Sequence, residues 1–558
     1  MSSRREFLQL AAATAAILPG GWTRAFAQQH LAQDNLTAFA PLGNVTLLHV
    51  SDIHAQLLPV HCREPSLNRS AGATSDQPPH LSGPTFLDWF DIAPGSAAAY
   101  ALTSDDYEAL ARSYGRVGGL DRAATVIKAV RAERPGKVLL LDGGDTWQGS
   151  WTALQTRGQD MADCMALLEP DAMTGHFEFT YGQERVRQLA AAQKFPFLAL
   201  NIRDAEWNEP VFAPQAMFER GGVSIAVLGQ AFPYTPIANP RHFIPDWSFG
   251  LREDEIQRQV DAARAKGAQL VVLLSHNGFD VDFKLAQRVS GIDVILTGHT
   301  HDALPQAINS GDSLLIASGS CGKFVSRLDL DVQGGAIRDF NYRLIPLLAD
   351  VIAPDTEMAA KIAQVRAPYA AELARVLGRA DELLYRRDSF HGTLDDLLLG
   401  AMLQQRDCEI ALSPGFRWGT SLLPGEDITF EALASATAIT YPACTRTLMS
   451  GARLKEVLED VADNLFNPDP YYQQGGDMVR AGGLAYRIDI FAPRGQRISQ
   501  LVALRTGEAI EPSRDYRVAG WASVSPEPQG PPIWEVAEQW LKLDAGTRRK
   551  AAWAVKVG

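Results

Sequence analysis

The sequence predicts an α/β protein built from two large domains, and three observations carry that prediction. Short apolar runs alternate with helical patterns from residue 44 to about 347, a long helical stretch follows at 355–379, and 558 residues exceed what one ordinary core organises.

The apolar runs lie at 45–50, 138–141, 197–200, 225–228, 270–274 and 294–296, each soon followed by Asp, Gly, Asn or His. Runs this short read as strands buried on both faces, which need no polar alternation. Between them, 119–133, 254–266 and 283–290 carry helical patterns. Strands alternating with helices form parallel sheets, and ligands of such sheets collect beyond the carboxyl ends of the strands. The stretch 355–379 is amphipathic with few Gly or Pro and reads as a linker helix. The expected division is therefore 28–350 for the first domain, 351–385 for the linker and 386–558 for a second, α+β domain. Residues 61–113, rich in Pro, Ser and Gly, form an insertion expected to rim the site, because loops beyond about 12–15 residues are commonly functional.

Composition narrows the function. With 46% hydrophobic and 21% charged residues the chain is a folded protein without a low-complexity tract. A net charge of −13 argues against a nucleic-acid partner, whose phosphates need clustered Lys and Arg. An anionic substrate stays open, because bound divalent cations reverse the local field. Beyond the N-terminus no run reaches the roughly 18 apolar residues of a membrane helix, so a soluble monomer without a membrane partner is expected. Cys62, Cys164, Cys321, Cys408 and Cys444 contain no C-x-x-C pair, which argues against structural zinc and against a redox dithiol. The odd count leaves at least one free thiol. At the N-terminus, Arg4-Arg5, an apolar run over 10–18 and Ala25-Phe26-Ala27 predict a twin-arginine signal peptide over 1–27, and so export to the periplasm.

Five patterns carry the chemistry, each just after a predicted strand: Ser51-Asp52-Ile53-His54, Asp142-Gly143-Gly144-Asp145-Thr146-Trp147, Gly175-His176-Phe177-Glu178, Leu274-Ser275-His276-Asn277 and Thr297-Gly298-His299-Thr300-His301. Carboxylate and imidazole donors without thiolate suit manganese, iron or zinc in a site of more than one metal. A carboxylate such as Asp145 can bridge two ions. Ions about 3.5–4 Å apart hold a hydroxide between them and neutralise charge on the group attacked. A lone Asp-x-His is more often a cap or a hydrogen-bonded core residue, but five such patterns in this order read as a two-metal hydrolase.

This order resembles the calcineurin-like metallophosphoesterases, and the second domain points to their 5′-nucleotidase branch. Pro414-Gly415-Phe416-Arg417, the stretch 423–429 and the stretch 447–454 extend the resemblance into the second domain. It implies a four-layer α/β/β/α metallophosphoesterase-like domain followed by an α+β 5′-nucleotidase-like domain. By position it implies Asp52, His54, Asp145 and His301 as ligands of one metal, and Asp145, His276 and His299 of the other. His176 stands where that family has an Asn ligand.

One departure is informative. The family's catalytic His falls on Phe177, which cannot move a proton. A phosphate monoester expels an alkoxide, for which a nearby acid is worth roughly 10²- to 10⁴-fold. A thiolate, with a thiol pKa of about 8.5, leaves at neutral pH with far less help. The Gly-His-aromatic-Glu variant, with Gly475-Gly476-Asp477-Met478-Val479-Arg480 and the twin-arginine leader, is similar to the SoxB thiosulfohydrolase family. That resemblance implies two manganese ions, with zinc or iron as alternatives. The implied substrate is a cysteine S-thiosulfonate on the arm of the SoxYZ carrier protein, whose terminal sulfonate sulfur is attacked by a dimetal-bound hydroxide, releasing sulfate and a persulfide. Asp145, His176 and Arg417 are the expected catalytic residues, and Arg417, Asp477 and Arg480 the substrate-binding ones, with a surface ion pair as the alternative for the arginines. Arg116 is expected at the rim, and Tyr471 and Tyr472 along a channel or simply packed. The competing functions are a periplasmic 5′-nucleotidase or phosphodiesterase, and a metal-holding protein that captures sulfur-oxyanion carriers without turnover.

Overall fold

The computed structural model describes Gln33 and residues 39–558, apart from Pro526 and Lys550; the expected leader, 1–27, lies outside the described residues. The first domain stacks two sheets. One runs in the order Ala336–Pro346, Phe324–Gln333, Val45–Val50, Val138–Asp142, Ala172–Met173, with the last three parallel. The other runs Ile308–Ser310, Ser313–Ala317, Val294–Thr297, Leu270–Ser275, Val223–Gln230, Gln215–Arg220, with the middle four parallel.

Strand side chains alternate between faces, and here both faces are apolar. Leu47, Leu139 and Leu141 meet Val227, Val272 and Leu296 between the two sheets. The intervening Leu48, Val50 and Leu140 turn outward onto Ala123, Ile127 and Val130 of the helix Leu120–Glu133. On the other side Leu228, Leu273 and Ile295 pack on Ile256 and Val260 of Glu253–Ala265 and on Phe279 and Leu285 of Phe279–Ala286. The result is the four-layer α/β/β/α arrangement.

Two predicted elements differ locally. Residues 197–200 make only isolated bridges, Met173 with Phe197 and Leu198 with Ala213, instead of a full strand. The helix predicted at 283–290 is Phe279–Ala286, starting directly after Gly278.

The stretch 355–379 is not one helix. An α-helix spans Thr356–Arg366, its start capped by Asp355 accepting from the Met358 N–H. Pro368, which has no N–H to continue the ladder, falls in the 3₁₀ turn Ala367–Tyr369. A final turn ends at Leu373, and Val376–Arg379 is a strand paired with Asp427–Thr429 of the second domain. That domain carries two four-stranded sheets, Thr445–Ser450, Asp515–Gly520, Ile410–Gly415, Asp477–Gly482 and Glu508–Ala509, Ile498–Ala503, Leu484–Ile488, Ala554–Val557. Helices Thr393–Gln405 and Ile533–Leu541 cover the first sheet with Leu398, Met402, Ile533 and Trp540.

The insertion 61–113 does not rim the cavity described below, none of whose lining residues it supplies. It folds into short helices, Gly83–Trp89, Ala97–Leu102 and Tyr107–Tyr114, and wedges into the seam between the domains. Buried polar pairs draw it there. Glu64 accepts from Lys323 of the first domain and from Arg387 of the second. Asp388 accepts the N–H groups of Ser66 and Leu67, at 3.1 and 3.2 Å. His80, midway along the insertion, anchors it on Asp280, 2.9 Å away. All five cysteines are free thiols. Among the described residues no helix is long and apolar enough to cross a membrane.

Candidate metal centre and active site

The seven expected ligands meet at the carboxyl ends of the strands. Asp52 and His54 follow Val45–Val50, Asp145 follows Val138–Asp142 and His176 follows Ala172–Met173, all from the first sheet. His276 follows Leu270–Ser275, and His299 and His301 follow Val294–Thr297, from the second. Asp52, His54, Asp145, His299 and His301 all have positive φ, between 49° and 76°. Asp and His tolerate this left-handed region better than most residues, and the fold holds them there. The Asp52 N–H donates to the Gly144 carbonyl at 2.9 Å, the His54 N–H to the Asp145 carbonyl at 2.8 Å, and the His299 N–H to the Asp52 carboxylate at 3.0 Å. These bonds knit the ligand loops to one another.

Two donor groups share Asp145. Asp52, His54, Asp145 and His301 form one, Asp145, His176, His276 and His299 the other, the donor atoms of each lying within 4.8 Å of one another. Asp145 Oδ2 stands 3.1 Å from both His176 Nδ1 and His276 Nε2, and 3.7 Å from His54 Nε2. His54 Nε2 and His301 Nε2 approach to 3.1 Å.

Several rings are oriented to hold cations. His276 Nδ1 faces the Gly143 carbonyl at 2.6 Å, His54 Nδ1 the Gln148 carbonyl at 3.2 Å, and His299 Nε2 the Gln474 carbonyl at 2.9 Å. Each carbonyl takes the ring proton, so the opposite nitrogen keeps a lone pair for a metal. The electrostatics agree. Burial works to raise Asp145, but the His176, His276 and His54 rings hold it well below the usual carboxylate range. Burial holds His299 and His301 well below the usual imidazole value, and so neutral. Burial works to lower His276 too, yet Asp145 and Asp52 lift it to about 10. A cation in the group that includes His276 would take the place of that proton. The residues fit a pair of divalent ions, with a donor set common to manganese, iron and zinc.

Glu178 was not singled out by the sequence, although it lies within one of the five patterns. Its carboxylate accepts the N–H groups of His176 and Thr146, both at 2.7 Å, and of Trp147 and Asp145, at 3.2 and 3.3 Å. It thereby fixes the loops bearing two ligands. A buried glutamate two residues beyond a ligand is the signal that marks it.

Five of the ligands, His54, Asp145, His176, His299 and His301, open into a cavity of about 260 Å³ at the meeting of the two domains. The second domain supplies Pro414 to Trp418, Asn464 and Gln474 to Asp477. Gly415 is required there, since a Cβ would lie 2.1 Å from the Asp477 carbonyl. Phe177, 7% exposed, has its ring 4.2 Å from that of His176 and 5.1 Å from that of Trp418. Trp418 also stacks on His54, ring centres 5.2 Å apart, a contact that sequence patterns did not reveal.

Of the substrate-binding candidates, Arg417 and Asp477 line the cavity and Arg480 does not. Arg417 donates to Asp477 at 2.9 Å and to the Thr300 and Gly476 carbonyls at 2.8 and 2.5 Å. These bonds take three of its five N–H groups, leaving two. Asp477 holds Arg417 in place. Arg480 is fully buried and donates to Asp395, Asp477 and the Ser389, Met478, Arg386 and Asp388 carbonyls, which ties the second domain together. Arg116 lies in a different cavity, beside Glu426. Tyr471 donates to Glu253, and Tyr472 is exposed; neither lines the site.

Residues 376–530 match the family model of the 5′-nucleotidase C-terminal domain. The 5′-nucleotidase of Rattus norvegicus is 27% identical over 471 residues, covering 75% of this chain and 78% of the relative. A 5′-nucleotidase precursor from Thermus thermophilus shares the fold, with a TM-score of 0.71 at 21% identity over 92% of this chain and 99% of that one. Fold and donor set together define a hydrolase of the metallophosphoesterase and 5′-nucleotidase type. The sulfate thiohydrolase SoxB of Thermus thermophilus superposes with a TM-score of 0.88 at 36% identity, over 93% of this chain and 97% of that one. The chain belongs to the SoxB family, within the 5′-nucleotidase branch.

Proposed function

We propose that the protein is a periplasmic thiosulfohydrolase, exported by the twin-arginine route, which releases sulfate from a cysteine S-thiosulfonate on a SoxYZ carrier arm. The observation that carries the reading is Phe177, an aromatic ring beside the metal ligands where the phosphoesterase pattern places an acid. The reaction adds water across the terminal S–S bond. The water oxygen enters sulfate, the bond's electron pair leaves with the persulfide, and protons go to solvent. A sulfur leaving group is stable enough as an anion to depart without an acid.

When bound, two divalent ions, manganese in our reading, supply Lewis acidity and a nucleophile at neutral pH. The chain does the rest. Asp145 is fixed by the Phe177 N–H at 2.6 Å, and His176 by the carboxylate of Glu178. Arg417 lines the cavity, and the two N–H groups that its other bonds leave are the donors for a sulfonate in this reading. Phe177, Phe416 and Trp418 give the cavity an apolar wall.

The second reading, a 5′-nucleotidase or phosphodiesterase, is favoured by the curated relatives, which are 5′-nucleotidases. One experiment separates the two. Purified, manganese-loaded protein is given thiosulfonate-loaded carrier and, separately, a nucleotide panel, with sulfate and phosphate release measured. Sulfate release from the carrier and poor turnover of AMP are expected, and preference for AMP would sink the thiosulfohydrolase reading. Absence of turnover on both would favour a capture protein.

A further inference from the structure

Resting on that reading, we infer that Phe177, Phe416 and Trp418 form a subsite for the divalent sulfur bridging leaving group and sulfonate, selecting a sulfur bridge over an oxygen one. The three rings meet at a corner. Phe416 lies on Trp418, ring centres 4.2 Å apart and planes 22° from parallel. Phe177 stands across both, at 70° to Trp418 and 89° to Phe416, with centres 5.1 and 6.1 Å away. Trp418 also stacks on His54, and Phe177 rests on His176. The corner therefore abuts one ligand from each donor group, next to the point where the attacked atom must sit.

An ester oxygen leaving from that point gathers negative charge and needs a hydrogen-bond donor. The corner supplies none to the cavity, since the Trp418 Nε1 is buried. A bridging sulfur is a weak acceptor and a polarisable one, and gains from contact with aromatic rings. The Phe416–Trp418 stack is already closed, so it leaves no slot for a flat base between those rings. Arg417, on the same loop, remains for the sulfonate oxygens.

S-Sulfocysteine and O-sulfoserine carry the same charge on the same frame and differ in the bridging atom alone, which makes them the probes. Calorimetric titration of manganese-loaded full-length enzyme is expected to show S-sulfocysteine binding about three- to tenfold tighter, the range of sulfur–aromatic contacts. Phe416→Leu and Trp418→Leu bring the ratio toward one. Trp418 touches a ligand, so Phe416→Leu, which touches neither His54 nor His176, is the deciding variant, with two metals per chain retained by elemental analysis. An unchanged ratio in Phe416→Leu, or equal loss of both ligands, overturns the subsite. A sulfur preference in an enzyme that releases no sulfate from thiosulfonates supports the subsite and defeats the thiosulfohydrolase reading. Sulfate release without that preference does the reverse.

Discussion

The backbone N–H of Phe177 donates to Oδ1 of Asp145 at 2.6 Å, so the residue standing in place of an acid also holds the carboxylate shared by both donor groups. That bond belongs to the main chain and survives a change of side chain.

Phe177→His is therefore expected to keep both metals. It restores an acid beside the leaving group and should raise hydrolysis of an alkyl phosphate such as AMP, whose departing alkoxide needs that acid, by up to about 10²-fold. Sulfate release should change less. Loss of metal on elemental analysis would show that the ring's packing on His176 matters more than its missing proton.

Asp145→Ala should lose both ions and all turnover, because each donor group contains this carboxylate. His54→Ala should weaken one ion selectively. An Asp145 variant that retained two metals per chain would place the bridge elsewhere.

Gly475→Ala tests the contribution of the second domain. A Cβ there would sit 2.5 Å from His299 Nε2, at a backbone φ of 71°. Displacing the ring should weaken the ion held by Asp145, His176, His276 and His299 by about 10- to 100-fold while sparing the other. Competition with a chelator, read as two separate release steps, measures it.

Glu178→Ala leaves four buried N–H groups without their acceptor. A stability loss of about 2–4 kcal/mol is expected, at the scale of orphaned buried donors. Chemical denaturation of the metal-free protein reads this without interference from ion binding.

The insertion's anchor should depend on pH. Burial works to lower His80, but Asp280 raises it above the ordinary imidazole value, with help from Asp302 and against Arg417. Asp280 is lowered, because His80, Thr74 and Ser70 outweigh burial. A raised His contributes fully below its unfolded pKa and loses that contribution as pH climbs through its folded value. A lowered Asp contributes above its unfolded pKa and fades as pH falls. The anchor is thus complete between about pH 4 and 6.5 and loosens above. Hydrogen exchange over 61–113, corrected for intrinsic rates, should quicken as pH rises through the folded pKa of His80. His80→Gln should flatten the dependence.

Six of the seven ligands were legible because they follow strands buried on both faces, which announce themselves as apolar runs, whereas His176 follows the two-residue strand Ala172–Met173 and was legible from its Gly-His-Phe-Glu pattern instead. Gly-His-x-His and Asp-x-His sit where those runs stop. Other features arise between distant residues and carry no local signature. The corner joins Phe177 to Phe416 and Trp418 across the domain seam, and Glu64 reaches Lys323 and Arg387 from inside a segment whose composition reads as loop. The helix expected over 355–379 failed locally, at Pro368 and at a Val376–Arg379 stretch whose strand partner lies fifty residues on, at Asp427–Thr429. Arg480 looked like an anion binder because sequence shows a charge and not the carbonyls that consume it.

The bond from His299 to the Gln474 carbonyl crosses the domain boundary. Ion affinity and domain arrangement are therefore thermodynamically linked. If bringing the second domain into place strengthens ion binding by some factor, ion binding must favour that placement by the same factor, about 1.4 kcal/mol for each tenfold. Chelation should loosen the seam, and whatever pries the seam apart should make the ion easier to remove.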